Sequence, residues 1–285
     1  MYEQNTVQWL EMRKGKIGAS DAPVIMHGEH FKKTPYILWE EKLGLRDTEA
    51  NTAHKQRGHD LEDPARLALE QMTGISFRPH VAFHPSIPWM MASLDAIDPE
   101  NQHIAEIKCP NKEDHQCALA GQIPQKYYPQ VQHQLEVCGL EMSYYFSFDG
   151  KQGVLVTVHR DDKYIKKLIE KEQHFWECLQ NFSPPELTEK DYESQTTLEW
   201  ELAANEWISI KKQLKEFEQL EKKEKSIRDK LISLSGNRNA MGAGIKLTRF
   251  MKKGNVDYIN IPEIKNLDLD KYRKPPSECY KLSIV

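Results

Sequence analysis

Residues 92–110 read ASLDAIDPENQHIAEIKCP, and the reading of the whole chain turns on them. Leu94, Ala96 and Ile97 on one side and Ile104 and Ile107 on the other flank Asp98-Pro99-Glu100-Asn101, a cluster with turn chemistry, so the spacing predicts a β-hairpin. A core hairpin has little use for charge, yet Asp95 sits among the apolar residues of the first strand, and Glu106 and Lys108 punctuate the second. Residues two apart on a strand share a face, so Glu106 and Lys108 face together while Ile107 points to the core, and pairing brings Asp95 beside Glu106. Two carboxylates are hard oxygen ligands for a divalent cation, and an adjacent lysine can orient or deprotonate a water or stabilise developing charge. To act as the base, Lys108 must have its pKa lowered. The same Glu-x-Lys triplet is commonly an exposed ion pair worth about 0–1 kcal/mol, and Asp95 also fits a solvated hairpin position, so these residues alone leave both readings open.

The rest of the chain narrows the context. With 285 residues, 39% hydrophobic and 29% charged, it has room for one large domain or two and material for a real core. A net charge of −4 does not advertise a nucleic-acid binder, although a basic channel can hide within a global sum. Cysteines 109, 117, 138, 178 and 279 are odd in number with no CxxC pair, which argues for reduced thiols and against a disulfide framework, a zinc site or an iron–sulfur cluster. No stretch approaches the roughly 20 apolar residues of a membrane span, and MYEQNTVQWLEMRKGK lacks a signal-peptide core, so a cytoplasmic location is expected.

Local pattern gives the element order. A first helix-like segment precedes GKIGASDAPVIM, where Asp21 and Pro23 mark a helix start. PYILWEEKLGL reads as a helix ended by Gly44, and HKQRGHDLEDPARLALEQMTG as a helix with Leu61, Ala65, Ala68 and Met72 on one face, Pro64 in its first turn or at a kink, and Gly74 as its stop. Strands follow from Ile75 to Cys109, then a helix over QIPQKYYPQVQHQLEVCGL, a hairpin turned at Asp149-Gly150, and an amphipathic helix from Asp161. This order predicts an α/β fold with a central mixed sheet flanked by helices. Ser183-Pro184-Pro185-Glu186 reads as a boundary. Beyond it the spacing predicts one long helix over about 197–234, its apolar steps losing heptad phase near Phe217 to Leu220 so that packing on its own chain is expected, and a hairpin turned at Lys253-Gly254-Asn255.

Five segments in order, RKGKIGASD from Arg13, RGHDLEDPA from Arg57, SLD ending at Asp95, EIK from Glu106 and YYPQVQHQLEVCG from Tyr127, resemble the YqaJ-type phage recombinases, relatives of lambda exonuclease in the PD-(D/E)xK nuclease superfamily. The resemblance spans about residues 9–180. It implies a restriction-endonuclease-like core over 1–190 and leaves 191–285, with the long helix and hairpin, as an extension that the lambda-like core lacks. It also implies that Asp95, Glu106 and the Ile107 carbonyl hold a metal, that Glu62 completes the site through water, and that Lys108 is the catalytic lysine. Arg13, Ser20, Ser93 and Gln130 correspond to a 5′-phosphate pocket, whose mix of guanidinium and neutral donors suits a phosphate dianion. Tyr127 and Gln132 belong to the helix motif and order the site or touch DNA.

The implied activity is a 5′-to-3′ exonuclease on double-stranded DNA, using two Mg²⁺ ions, with Mn²⁺ as the alternative, and leaving 3′ single-stranded overhangs for recombination. The implied partners are 5′-phosphorylated DNA ends, further copies in a ring trimer, and a single-strand annealing protein, with no membrane and with a phage or prophage origin in a bacterial host. An endonuclease of the same superfamily without end preference, and a non-catalytic DNA-end-binding or assembly protein, are the alternatives. Lys246, Arg249, Lys252 and Lys253 are candidates for backbone contacts or a solvated charge run, and His59, His80, His84 and His133 carry no assigned role.

Overall fold

In the computed structural model, which describes residues 6–27, 33–47, 53–257, 260–265, 267–280 and 282–283, the Thr6 hydroxyl caps helix α1 (Val7–Lys14) by accepting the Trp9 N–H. The chain then forms strand β1 (Ile17–Gly18) and helices α2 (Ala22–His27), α3 (Pro35–Leu43) and α4 (Ala53–Thr73). Thr34 caps α3, and Gly44 and Gly74 close α3 and α4 at φ 72° and 71°, a left-handed conformation that costs glycine little. Pro64 lies inside α4, well past its first turn. Ala65 and Leu69 are the buried residues of this helix face, whereas Met72, expected there, is 52% exposed.

Strands β2 (Arg78–Phe83), β3 (Met90–Ile97) and β4 (Ile104–Lys108) follow, then α5 (Lys112–Leu119), α6 (Tyr128–Cys138), the hairpin of β5 (Met142–Phe148) and β6 (Gly153–His159), and α7 (Asp162–Gln180). The pairing is mixed: β1 with β3 and β4 with β5 are parallel, while β2 with β3, β3 with β4 and β5 with β6 are antiparallel. One face buries Met90, Leu94, Ile104 and Tyr145 against Val131 and Leu135 of α6 and Leu168 and Phe175 of α7. The other buries Ala105, Ile107, Phe146 and Phe148 against Ala65 and Leu69 of α4. This is the expected α/β arrangement, a mixed sheet with helices on both faces. The β3–β4 turn is built as its residues demand: Asp98 Oδ1 accepts the Gln102 and His103 N–H groups at 2.7 Å, and Asn101 takes φ 56°. Burial alone would raise the Asp98 pKa; the hydrogen bonds from His103 and Gln102 outweigh it and hold the carboxyl below its usual range.

The register of β3 creates a gap. Met91 pairs with Phe83 of β2 and with Gly18 of β1, and Ile97 pairs with Arg78 of β2 and with Ile104 of β4. A strand has two edges, so β2 lines one edge throughout while β1 and β4 share the other, β1 at its start and β4 at its end. Between Met91 and Ala96 that second edge has no strand partner among the described residues. Polar side chains can converge there without breaking a ladder.

The first compact unit is Met1–Glu193, so the chain continues in it past Ser183-Pro184-Pro185-Glu186. Asp191 explains this: its carboxylate takes the Thr34 hydroxyl and the Thr188 N–H. The second unit is Ser194–Val285. Its helix α8 (Leu198–Leu234) starts at the Thr197 cap as expected, but it has no buried residue, and Phe217 and Leu220 are 62% and 59% exposed, so the expected packing of its apolar row on its own chain is not seen. The hairpin is β7 (Ala240–Gly242) with β8 (Ile245–Leu247), upstream of the expected turn. Ala243 and Gly244, at φ 47° and 80°, provide the two successive left-handed residues that a tight hairpin turn needs. A short helix α9 (Pro262–Lys265) follows. Among the described residues, no helix is long and apolar enough to cross a membrane.

Candidate active site

The gap beside β3 opens into a cleft of about 170 Å³ lined by Arg13 and Trp9 of α1, Ser20 of the turn after β1, Ser93 and Asp95 of β3, Glu106 and Lys108 of β4, and Gln130 of α6. The β3–β4 ladder pairs Ile97 with Ile104 and Ala96 with Ala105 and stops there. One step further, the Asp95 carboxylate replaces a ladder acceptor by taking the Ile107 N–H at 2.9 Å. Glu106, 1% exposed, accepts from Lys108 Nζ and, at 2.6 Å, from Gln130 Nε2 through Oε1, and from Gln134 Nε2 through Oε2.

The charges of Asp95, Glu106 and Lys108 act on one another. Burial, then the Glu106 carboxylate, and more weakly Glu62 push Asp95 well above the usual carboxylate range, with Lys108 opposing them. Burial alone would depress Lys108, but Glu106 and Asp95 outweigh it and hold the ammonium above the usual lysine range. The lowering required of a basic Lys108 is therefore not seen; it requires a cation that takes up the charge of both acids. Glu62 of α4 is half-buried and near enough for its charge to act on Asp95.

A hard divalent cation fits this donor chemistry. The carboxylates of Asp95 and Glu106 are oxygen ligands held close enough to repel, and a cation between them removes the like-charge cost that raises Asp95. Among the described residues no three histidine, cysteine or acidic side chains are grouped to hold a metal, so Asp95 and Glu106 are the side-chain carboxylates that line the cleft, donors of the kind that Mg²⁺ accepts.

The other half of the cleft gathers Arg13, Ser20 and Ser93 around Trp9. Arg13 Nη2 donates to Ser20 Oγ at 2.8 Å, and the guanidinium lies 4.5 Å from the Trp9 ring centre. Trp9 Nε1 in turn donates to Ser93 Oγ at 3.2 Å, so one indole orients both Arg13 and Ser93. Sequence reading missed Trp9; the signal was its place four residues before Arg13 on one helix face. Beneath, Asp21 accepts the Gly18 N–H at 2.9 Å and pairs with Lys42 at 2.7 Å, while Lys42 also holds the Lys16 carbonyl at 2.7 Å. Burial would raise Asp21, but Lys42 and Arg13 outweigh it and keep the carboxyl below its usual range.

Two glutamines of α6 make contacts that the sequence does not specify. Gln130 lies in the cleft, but its amide nitrogen is engaged by Glu106. Gln132 is fully buried; it donates to the His159 carbonyl at 2.8 Å and accepts the Asp161 N–H at 2.9 Å, so it ties α6 to the β6–α7 connection and is not placed to touch DNA. Tyr127 stacks on Tyr145 at 5.7 Å and lies under Lys108 Nζ at 5.4 Å, bordering the lysine. His84 accepts the Ser86 and Ile87 N–H groups, a loop-fixing role, and His133 is buried against Glu172. The side chains of Arg57 and His59 lie outside the described residues.

Residues 8–141 match the YqaJ-like viral recombinase domain. The protein YqaJ of Bacillus subtilis (strain 168) is 31% identical over 180 residues, 61% of this chain, and the match spans 56% of that relative's length. The crystal structure of an alkaline exonuclease, LHK-Exo, from Laribacter hongkongensis is 26% identical, with a TM-score of 0.54 over 62% of this chain and 94% of that one, and the same values hold for its complex with dAMP.

Proposed function

We propose, from the match of residues 8–141 to the YqaJ-like viral recombinase domain, that this chain is a divalent-metal-dependent exonuclease that degrades duplex DNA from 5′-phosphorylated ends in the 5′-to-3′ direction and leaves 3′ single-stranded overhangs for phage-type recombination. The observation that carries this reading is the sharing of one cleft by Asp95, Glu106 and Lys108 with Arg13, Ser20 and Ser93. The solved relative called an alkaline exonuclease, crystallised with the mononucleotide dAMP, supports it.

Asp95, Glu106 and the Ile107 carbonyl would hold Mg²⁺, with Glu62 acting through water, and the ion would polarise the phosphate and lower the pKa of a bound water. A second ion, as in two-metal nucleases, belongs to the same proposal. Lys108 would orient or deprotonate the attacking water, or place positive charge where the pentavalent phosphate becomes more negative. Arg13 binds the terminal phosphate with Ser20 and Ser93, which supply neutral donors, and so sets the scissile bond in the cleft relative to the chain end. A ring trimer and a single-strand annealing partner complete the proposal; light scattering on the chain with and without residues 191–285 tests the first.

Linear 5′-phosphorylated duplex and covalently closed circles, incubated with protein and Mg²⁺, give the decisive comparison. The linear DNA is expected to disappear and the circles to survive; rapid cutting of circles would instead make the protein an endonuclease. Arg13→Ala is expected to reduce the preference for phosphorylated over hydroxyl 5′ ends by about 10- to 100-fold, the worth of a charged hydrogen-bond pair. Competition between the two ends in one tube reads that ratio, and an unaltered ratio would remove Arg13 from the pocket.

A further inference from the structure

Helix α6 offers two amides to one carboxylate. Gln130 and Gln134 stand four residues apart and so share a helix face, and their Nε2 groups reach different oxygens of Glu106: Gln130 to Oε1 at 2.6 Å, Gln134 to Oε2. The backbone that presents them is fixed, since Val131 and Leu135 are fully buried in the core and Gly139 ends the helix at φ 65°. Gln134 is itself fully buried, and its Oε1 has no hydrogen-bond partner among the described residues.

That orphan acceptor makes Gln134 a poor packing residue, because methionine or leucine fills similar space without burying an unpaired oxygen. A carboxylate at 134 would bring a further buried negative charge to the acids already repelling at Asp95. A lysine or arginine there would compete with a metal ion for Glu106. A neutral N–H donor is the one choice that fixes the carboxylate from behind and leaves its charge for a cation.

We propose that Gln134 is a positioning residue of the nuclease centre, holding Glu106 together with Gln130 in a two-point amide grip that sets the direction in which the carboxylate faces a divalent cation. The grip rests on the reading of Glu106 as a metal-holding carboxylate. Gln134 does not touch the DNA; it acts through Glu106.

The test uses the full chain, with Gln134→Met, Gln130→Met, the double variant and Glu106→Gln. Turnover and KM are measured on linear 5′-phosphorylated duplex over a Mg²⁺ series, and binding of Mn²⁺ alone is measured by calorimetry without DNA. Gln134→Met is expected to lower kcat and weaken Mn²⁺ binding by about 10-fold each, as loss of a ligand-orienting partner does, with KM for DNA little changed and Tm not lowered. The double variant is expected to lose less than the product of the singles, since both amides act on one group. Gln134→Asn, too short for the same reach, gives the same loss of metal affinity where methionine is not accommodated. Unchanged kcat and Mn²⁺ affinity in folded Gln134→Met, or strictly multiplicative losses, would overturn the grip. If Glu106→Gln stays active, the reading of the centre itself fails; if it is dead while Gln134→Met matches wild type, only the grip fails.

Discussion

Glu106→Gln is expected to cut the rate of DNA cleavage by roughly 10²- to 10³-fold or more while the protein stays folded. The substitution keeps the volume of a side chain that is 1% exposed, so it opens no cavity. What it removes is charge. Three donors, from Lys108, Gln130 and Gln134, converge on the carboxylate, and an amide can accept on one atom alone, leaving a donor facing a donor at the other. That mismatch costs about 1–3 kcal/mol, partly offset because Asp95 no longer lies beside a second acid. Cleavage of 5′-phosphorylated linear duplex and a melting curve, measured on the same preparation, separate loss of charge from loss of fold. Asp98→Ala is the internal control: its carboxylate serves the Gln102 and His103 N–H groups, so stability is expected to drop while cleavage per folded molecule stays at the wild-type rate. Full activity in Glu106→Gln would withdraw Glu106 from the centre.

The contrast between Asp95 and Asp98 illustrates how far the sequence carries. The hairpin, its turn and the shared face of Glu106 and Lys108 follow from a period of two and from turn chemistry, both local properties. Helix geometry separates the glutamines of α6: at about 100° per residue Gln132 lies roughly 200° from Gln130, which leaves it the ordering branch of its expected role, whereas Gln134 returns to the same side. Trp9 carries a local signal only toward Arg13; its contact with Ser93 and that of Gln134 with Glu106 join residues 84 and 28 positions apart, which no local pattern encodes. The terminal hairpin was misplaced because Lys253-Gly254-Asn255 has good turn composition, while the turn that forms uses Ala243 at φ 47°, a conformation that composition does not announce for alanine. The gap in the β3 edge that makes room for the cleft depends on which strands share an edge, a property of topology that single segments do not reveal.

The largest effect on stability is expected at His133 and Glu172, which hold the sheet from beneath that gap. Both are fully buried; His133 Nδ1 meets Glu172 Oε1 at 2.8 Å, and Nε2 meets the Met91 carbonyl at 2.9 Å. A carbonyl only accepts, so Nε2 carries a hydrogen and donates to β3 where the unpaired edge begins. Burial alone would depress His133, but Glu172 outweighs it and raises the pKa above 6.5. Burial raises Glu172 above 4.5, with His133 opposing. Both shifts mean that the folded state binds more protons than the unfolded one, so the pair's contribution shrinks as pH rises, first above 4.5 as Glu172 is held from ionising freely, then through the raised pKa of His133 as the imidazolium is lost. Removing one partner leaves the other buried and unpaired: His133→Leu or Glu172→Met alone is expected to cost about 3–5 kcal/mol, and the two together far less than the sum. Urea unfolding between pH 5 and 9, on the order of the range where a histidine titrates, checks the sign. The stability difference between wild type and the double variant is expected to fall steadily with pH; a difference that is flat or grows towards pH 9 would show that the pair is not held in its proton-rich form.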